Sequence, residues 1–166
     1  ELFNTLCKKE IFSKLKINAQ DLYEIINLEP FNGTLFDLAI NNIKEQINNQ
    51  TNDDKEKEVI MRKLLETICN DENRNEVLTP FLLACRRGID SVIKKLITLD
   101  KSCIHQQDNL DRTALEIAVD GGLAKTCEIL IEEGAMVDRG AFILAVKNNK
   151  ETITKPANDL EVKYIK

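Results

Sequence analysis

The chain has 166 residues, 43% hydrophobic and 31% charged, with three prolines, six glycines and no tryptophan. This composition is too apolar for a disordered chain and too poor in turn residues for a β-sandwich or barrel. The net charge of −5 is carried by residues 1–78, with ten basic against fifteen acidic side chains, whereas 79–166 balance at thirteen each; no basic platform exists, so no nucleic-acid partner is expected.

Residues 1–30 read as a helical capping unit. Leu2, Phe3, Leu6, Ile11, Phe12 and Leu15 suggest a first helix, and Asn18 is placed to cap a second that carries Leu22, Ile25, Ile26 and Leu28. Pro30 and Gly33 separate it from a unit at 31–78. There Phe36, Ile40, Ile43 and Ile47 continue one helical stripe, the polar run Asn48–Asp54 reads as a loop, and a second helix from about Lys55 carries Val59, Ile60, Leu64, Leu65 and Ile68. Units at 79–112 and 113–139 follow, then a shorter, partial or capping unit at 140–166, whose helix Pro156 interrupts.

The units share a pattern. Thr34-Leu-Phe-Asp-Leu-Ala39, Thr79-Pro-Phe-Leu-Leu-Ala84, Thr113-Ala-Leu-Glu-Ile-Ala118 and Gly140-Ala-Phe-Ile-Leu-Ala145 each place large apolar residues third and fifth and alanine sixth. The alanines are 45, 34 and 27 residues apart. A second apolar stripe follows in the two best units: Ile89, Val92, Ile93, Leu96 and Ile97, then Leu123, Cys127, Leu130 and Ile131. Gly88 and Gly122 fall between the stripes, where a helix should stop. Each unit is therefore helix, tight turn, helix, with polar turn residues such as Gln106-Gln107-Asp108-Asn109 on the return. A single helix pair cannot bury its apolar face, so the units must stack, and the small alanines let neighbouring helices approach closely. The first spacing exceeds a period of about 33 residues by roughly a dozen, read as lengthening of both helices of that unit rather than as a projecting partner-binding feature.

These residues resemble the ankyrin repeat family. Thr79–Ala84 is similar to the TPLHxA signature with Leu82 at the histidine place. Thr113–Ala118 departs further, with Ala114 for proline and Glu116 for histidine. Leu130–Asp138 resembles LLxxGADVN, and Asp108–Thr113 resembles DxxGxT with Asp111 for glycine. The resemblance implies an all-α solenoid of stacked helix-turn-helix repeats with short hairpin-like connections. It also implies a concave face of hairpin tips and inner-helix ends that binds another protein. Mapped by the motif, that face comprises Asn41, Asn42, Arg86, Arg87, Asn109, Leu110, Arg112, Asp120 (with Gly121), Lys147 and Asn148. Arginine forks suit carboxylates and Leu110 would expose an apolar tip, so an acidic protein segment is the expected partner.

Catalytic and metal chemistry find little support. His105 is the only histidine, two residues from Cys103 in a linker, with no third group to orient a dyad. The five cysteines form no CxxC pair, so neither a zinc site nor any other cofactor is expected; Cys85 and Cys127 read as core fillers. Asn52-Asp53-Asp54 lacks a calcium-loop pattern and Gly121-Gly122 is no phosphate cradle. The reading is a non-enzymatic scaffold, monomeric in isolation, without a membrane span and in a reducing, cytoplasmic compartment. The alternative is a targeting or regulatory module of a larger protein, since the chain begins at Glu1 rather than Met. Abundant Asn, Ile and Lys point to an AT-rich genome, such as that of an intracellular microbe, where such proteins resemble effectors secreted into the host-cell cytoplasm.

Overall fold

The computed structural model describes residues 15–71 and 76–147. The first helix expected in the capping unit, Cys7, Asn148, Pro156 and the tail to Lys166 lie outside the described residues. Packing divides the chain into two compact units, Glu1–Leu83 and Ala84–Lys166.

In the first unit, α1 (Ala19–Asn27) starts where Asn18 predicts. Asp21 N–H donates to Asn18 Oδ1 at 3.0 Å and Asn18 N–H donates to Asp21 Oδ2 at 2.9 Å, a reciprocal capping box that satisfies two otherwise open donors. The helix buries Leu22, Tyr23, Ile25 and Ile26. Helix α2 (Gly33–Gln50) is capped by Asn32, whose Oδ1 accepts Leu35 N–H at 2.9 Å, and it buries the expected stripe of Phe36, Ile40, Ile43 and Ile47 together with Ala39. It runs through Asn48, Asn49 and Gln50, which the sequence placed in a loop. These residues are exposed, and a helix tolerates amides on its wet face while Ile47 anchors the other. The break comes at Thr51–Asp53, where side chains take over the backbone donors: Asp53 N–H donates to Thr51 Oγ1 at 3.1 Å and Lys55 N–H to Asp53 Oδ1 at 2.9 Å.

Helix α3 (Asp54–Leu65) corrects a second expectation. It buries Met61 and Leu65, whereas Val59 is exposed and Ile68, 60% exposed, lies beyond the helix. The helix packs on α2 along a narrow seam, so only two of its twelve residues, four apart, are buried rather than a full stripe. Thr67 Oγ1 donates to Lys63 O at 2.9 Å and turns the chain before Ile68 can join. Two three-residue strands follow, β1 (Cys69–Asp71) and β2 (Glu76–Leu78), paired antiparallel with Cys69 opposite Leu78 and Asp71 opposite Glu76. They form a hairpin connection between helical segments, with β1 against α1.

Helix α4 (Pro80–Arg87) begins as its sequence dictates. Thr79 Oγ1 accepts Leu82 N–H at 3.3 Å, and Pro80 occupies the first turn where its missing donor costs nothing. Phe81, Leu82, Leu83, Ala84 and Cys85 are all buried.

The second unit contains α5 (Asp90–Leu99), a 3₁₀ turn (Lys101–His105), α6 (Ala114–Gly121), α7 (Ala124–Glu132) and α8 (Arg139–Lys147). Its turns repeat one solution. Gly88 and Gly122 adopt φ of 65° and 70°, the left-handed conformation that costs glycine least. Ile89 N–H returns to Ala84 O at 3.1 Å, and Leu123 N–H to Ala118 O at 3.0 Å. The identical bonds, one repeat apart, reverse the chain from each inner helix to its outer partner. Helix α5 packs on α7, and α6 packs on both α7 and α8, so outer and inner helices stack within this unit. Asp90 ties the outer pair: its carboxylate accepts Lys125 Nζ at 2.9 Å and Thr126 Oγ1 at 3.2 Å.

Cys85, Cys103 and Cys127 are buried in this packing, as expected for Cys85 and Cys127. Burial raises the Cys85 thiol well above its usual range and raises that of Cys103 to about 12, the neighbouring Asp100 carboxylate adding to the latter. At neutral pH these groups are thiols, not thiolates, and react poorly. Alkylation of the native protein by iodoacetamide should therefore leave Cys85, Cys103 and Cys127 unmodified over a period in which the urea-unfolded chain labels fully. Rapid native labelling of all three, read by peptide mass spectrometry, would contradict the buried arrangement.

Candidate protein-binding surface

The best-defined surface feature is the finger between Gln106 and Thr113, and Asp108 organises it. The Asp108 side chain is almost wholly buried. Its Oδ1 accepts Leu110 N–H and Arg112 N–H, each at 2.9 Å, and its Oδ2 accepts Arg112 Nε at 2.8 Å and Nη2 at 2.7 Å. The main chain closes the same loop. Asp108 N–H donates to Arg112 O and Asp111 N–H donates to Asp108 O, both at 3.1 Å, and Gln107 Nε2 donates to Asp111 O at 2.9 Å. Asp111 sits at φ 58°, the left-handed place that the resemblance assigns to glycine; aspartate is among the few side chains that tolerate it. Burial alone would raise the Asp108 carboxyl, but the hydrogen bonds from Arg112 and Leu110 and the guanidinium charge outweigh it and hold the group below its ordinary value.

This geometry projects Asn109 and Leu110 outward. Both are exposed, Leu110 by 66%, so an apolar tip stands in water on a braced loop. Arg112 does different work from that expected. Two of its donors are spent on Asp108, and Nη1 faces Asp120 Oδ2 at 4.0 Å, so it braces the finger against the end of α6. Asp108 itself was legible as a turn residue and as the first place of the DxxGxT resemblance; its burial had no signature in composition or spacing.

Arg86 and Arg87, both half-buried, end α4. The end of α6 lies beside them: a Cβ built on Gly121 would stand 3.9 Å from the Arg86 carbonyl oxygen. The structure thus brings Arg86, Asp120 and the Arg112 finger toward one region of the second unit. The start of α6 is equally determined. Thr113 Oγ1 accepts Glu116 N–H at 3.2 Å while Thr113 N–H donates to Glu116 Oε2 at 2.8 Å. Glu116, read from the sequence as a departure from the family histidine, completes a capping box. Its carboxylate also occupies the space a side chain at Gly140 would need, which fits glycine at that place.

The remaining expected residues are placed differently. Asn41 is exposed on α2 in the first unit. Asn42 is 3% exposed and cannot meet a partner. Its Nδ2 donates to Leu15 O at 3.1 Å, its Oδ1 accepts Gln46 Nε2, and Gln46 also reaches Ile17 O at 3.4 Å. The lengthened α2 uses these amides to hold the extended segment ahead of α1. Lys147 closes α8, and Asn148 lies outside the described residues. No finger separates α7 from α8: Gly134 turns the chain at φ 103°, and Asp138 Oδ1 caps α8 by accepting Ala141 N–H at 2.8 Å. The 27-residue spacing of the last alanines reflects this deletion. Met136 is left 76% exposed in the short connection.

Cys103 is buried and His105 exposed, so the linker pair does not face a common space. Among the described residues, no three His, Cys, Asp or Glu side chains are grouped as a metal site requires, and no helix is long and apolar enough to cross a membrane. A family model for ankyrin repeats, in three copies, matches residues 55–141. No curated protein and no solved structure matches the chain.

Proposed function

Because the chain belongs to the ankyrin-repeat family, whose repeats are protein–protein interaction modules, we propose that it is a non-enzymatic scaffold that binds another protein through the finger and inner-helix ends of its second unit. The observation that supports this reading is Leu110, an apolar side chain held 66% exposed at the tip of a loop whose every turn is braced by Asp108. A rigid loop loses little conformational entropy on binding, so an exposed apolar tip on it converts burial into affinity efficiently. Arg86 and Arg87 at the end of α4 supply positive charge in the same unit, which suits an acidic segment carrying an apolar residue. Arg112 contributes by holding the loop rather than by direct contact.

The test is quantitative binding of a captured partner to wild type, Leu110→Asp and Arg86→Glu/Arg87→Glu. Each change should weaken binding by about tenfold or more, with the arginine pair affecting the association rate and its salt dependence. Urea unfolding midpoints should move little for Leu110→Asp, because that side chain is in solvent. A partner that binds all three proteins equally would place the interface elsewhere.

A further inference from the structure

We propose that Asn32–Gly33 is a self-modifying covalent site, at which Asn32 deamidates through a cyclic imide and thereby weakens the amino-terminal cap of α2. The two residues sit at the end of an irregular connection in which Leu28, Glu29 and Pro30 are exposed. Three conditions of the chemistry meet there. Gly33, as the first residue of α2, presents an amide nitrogen that has no carbonyl four residues back within its own helix. The Asn32 side-chain carbonyl is polarised by Leu35 N–H, which donates to Oδ1 at 2.9 Å, and by the positive end of an 18-residue helix. Gly33 is exposed and has no Cβ to obstruct ring closure, and only the Phe31 ring edge, at 3.8 Å, approaches the place a Cβ would take.

The reaction balances with water alone. Base removes the proton from the Gly33 amide nitrogen, and the nitrogen attacks Asn32 Cγ. The N–Cγ bond forms, the Cγ–Nδ2 bond breaks, and ammonia leaves with the added proton. Water then opens the five-membered imide at either carbonyl. Attack at Cγ returns an ordinary aspartate; attack at the main-chain carbonyl leaves the chain running through Cγ as isoaspartate. The net change is one amide hydrolysed to one carboxylate, a gain of about one mass unit and one negative charge.

The two products differ in consequence. Aspartate at position 32 keeps an oxygen where Leu35 N–H needs it and adds a charge that the helix terminus favours. Isoaspartate inserts an extra methylene into the backbone and moves the carboxylate out of the main chain's reach, so the cap on Leu35 is lost. Helix α2 carries Phe36, Ala39, Ile40 and Ile43 into the core, so loosening its first turn loosens the unit it anchors.

The experiment is incubation of the full chain at mildly alkaline pH and body temperature. Peptide mass spectrometry locates the change, and an electron-transfer fragmentation series separates aspartate from isoaspartate. Conversion at Asn32 should outpace that at every other asparagine and rise in proportion to hydroxide concentration. Gly33→Ala should slow it by about an order of magnitude, since a side chain on the nucleophilic residue obstructs the ring. This variant folds, because the space beside Gly33 is open. The isoaspartate fraction, resolved by ion exchange, should unfold at lower urea than the unreacted protein, whereas Asn32→Asp should not. An Asn32 that keeps its amide while other asparagines react, a Gly33→Ala protein that reacts as fast, or an isoaspartate form as stable as the parent would each overturn the proposal.

Discussion

Asp108→Ala should destabilise the second unit by about 2–3 kcal/mol, because it strands donors rather than merely deleting a contact. The carboxylate is the common acceptor of Leu110 N–H, Arg112 N–H and the Arg112 guanidinium. The upper end for a broken buried ion pair does not apply, since the Arg112 side chain is 35% exposed and water takes over part of its solvation. Urea unfolding measures the loss, and amide exchange at Leu110 and Arg112 should accelerate in the same variant. Asp108→Asn, which keeps one acceptor oxygen, should fall between. The same residue sets an acid dependence. The folded state holds the Asp108 proton less tightly than the unfolded chain does, so its contribution is complete above about pH 4 and is lost as pH falls below that value. The Asp108→Ala protein should lose less stability over that acid range than wild type. A loss under about 0.5 kcal/mol, the range of ordinary surface changes, would show that the main-chain bonds hold the finger without the carboxylate.

Ala118→Leu should cost at least about 1–3 kcal/mol, by overpacking rather than by loss of contact. Ala118 is fully buried on α6, the helix that packs against both α7 and α8. Its carbonyl also receives the Leu123 N–H that fixes the turn at Gly122, so a displaced α6 would carry that turn with it. Leucine is no worse a helix former than many residues, and the cost is therefore steric. The same residue placed at exposed Lys94 on α5 should change the unfolding midpoint little. Equal stability of the two leucine variants would refute close helix approach as the reason for alanine at the sixth place of the repeated pattern.

Much of this architecture was legible because its signals are local. Thr79 with Pro80, Asn18 at α1, and Gly88 and Gly122 at the turns act within four residues of themselves, and each does in the structure what its chemistry requires. The apolar stripes of α2 and α5 needed only helical periodicity, whereas α7 buries the expected Cys127 and Leu130 together with Thr126 and Ile129 and leaves Leu123 and Ile131 half-buried. The third helix misled because periodicity reports which residues could share a face, not how wide a face its neighbour covers. Val59 and Ile68 had the spacing but remain about half in solvent.

The candidate surface was less legible, because polar residues take their roles from what the chain brings to them. Asn42 has the composition of a wet helix end, yet Leu15, 27 residues earlier, delivers a carbonyl that makes it an interior residue. Arg112 has the chemistry of a binding arginine, yet the turn at Asp111 folds it back onto Asp108. The sequence by itself determined the kind of unit, its helices, its glycine turns and the family to which it belongs, since propensity, capping and hydrophobic period are short-range. Only the tertiary structure decided which polar side chains face water and which are consumed in holding the fold, because burial and pairing depend on groups distant in the chain and no spacing rule encodes their arrival.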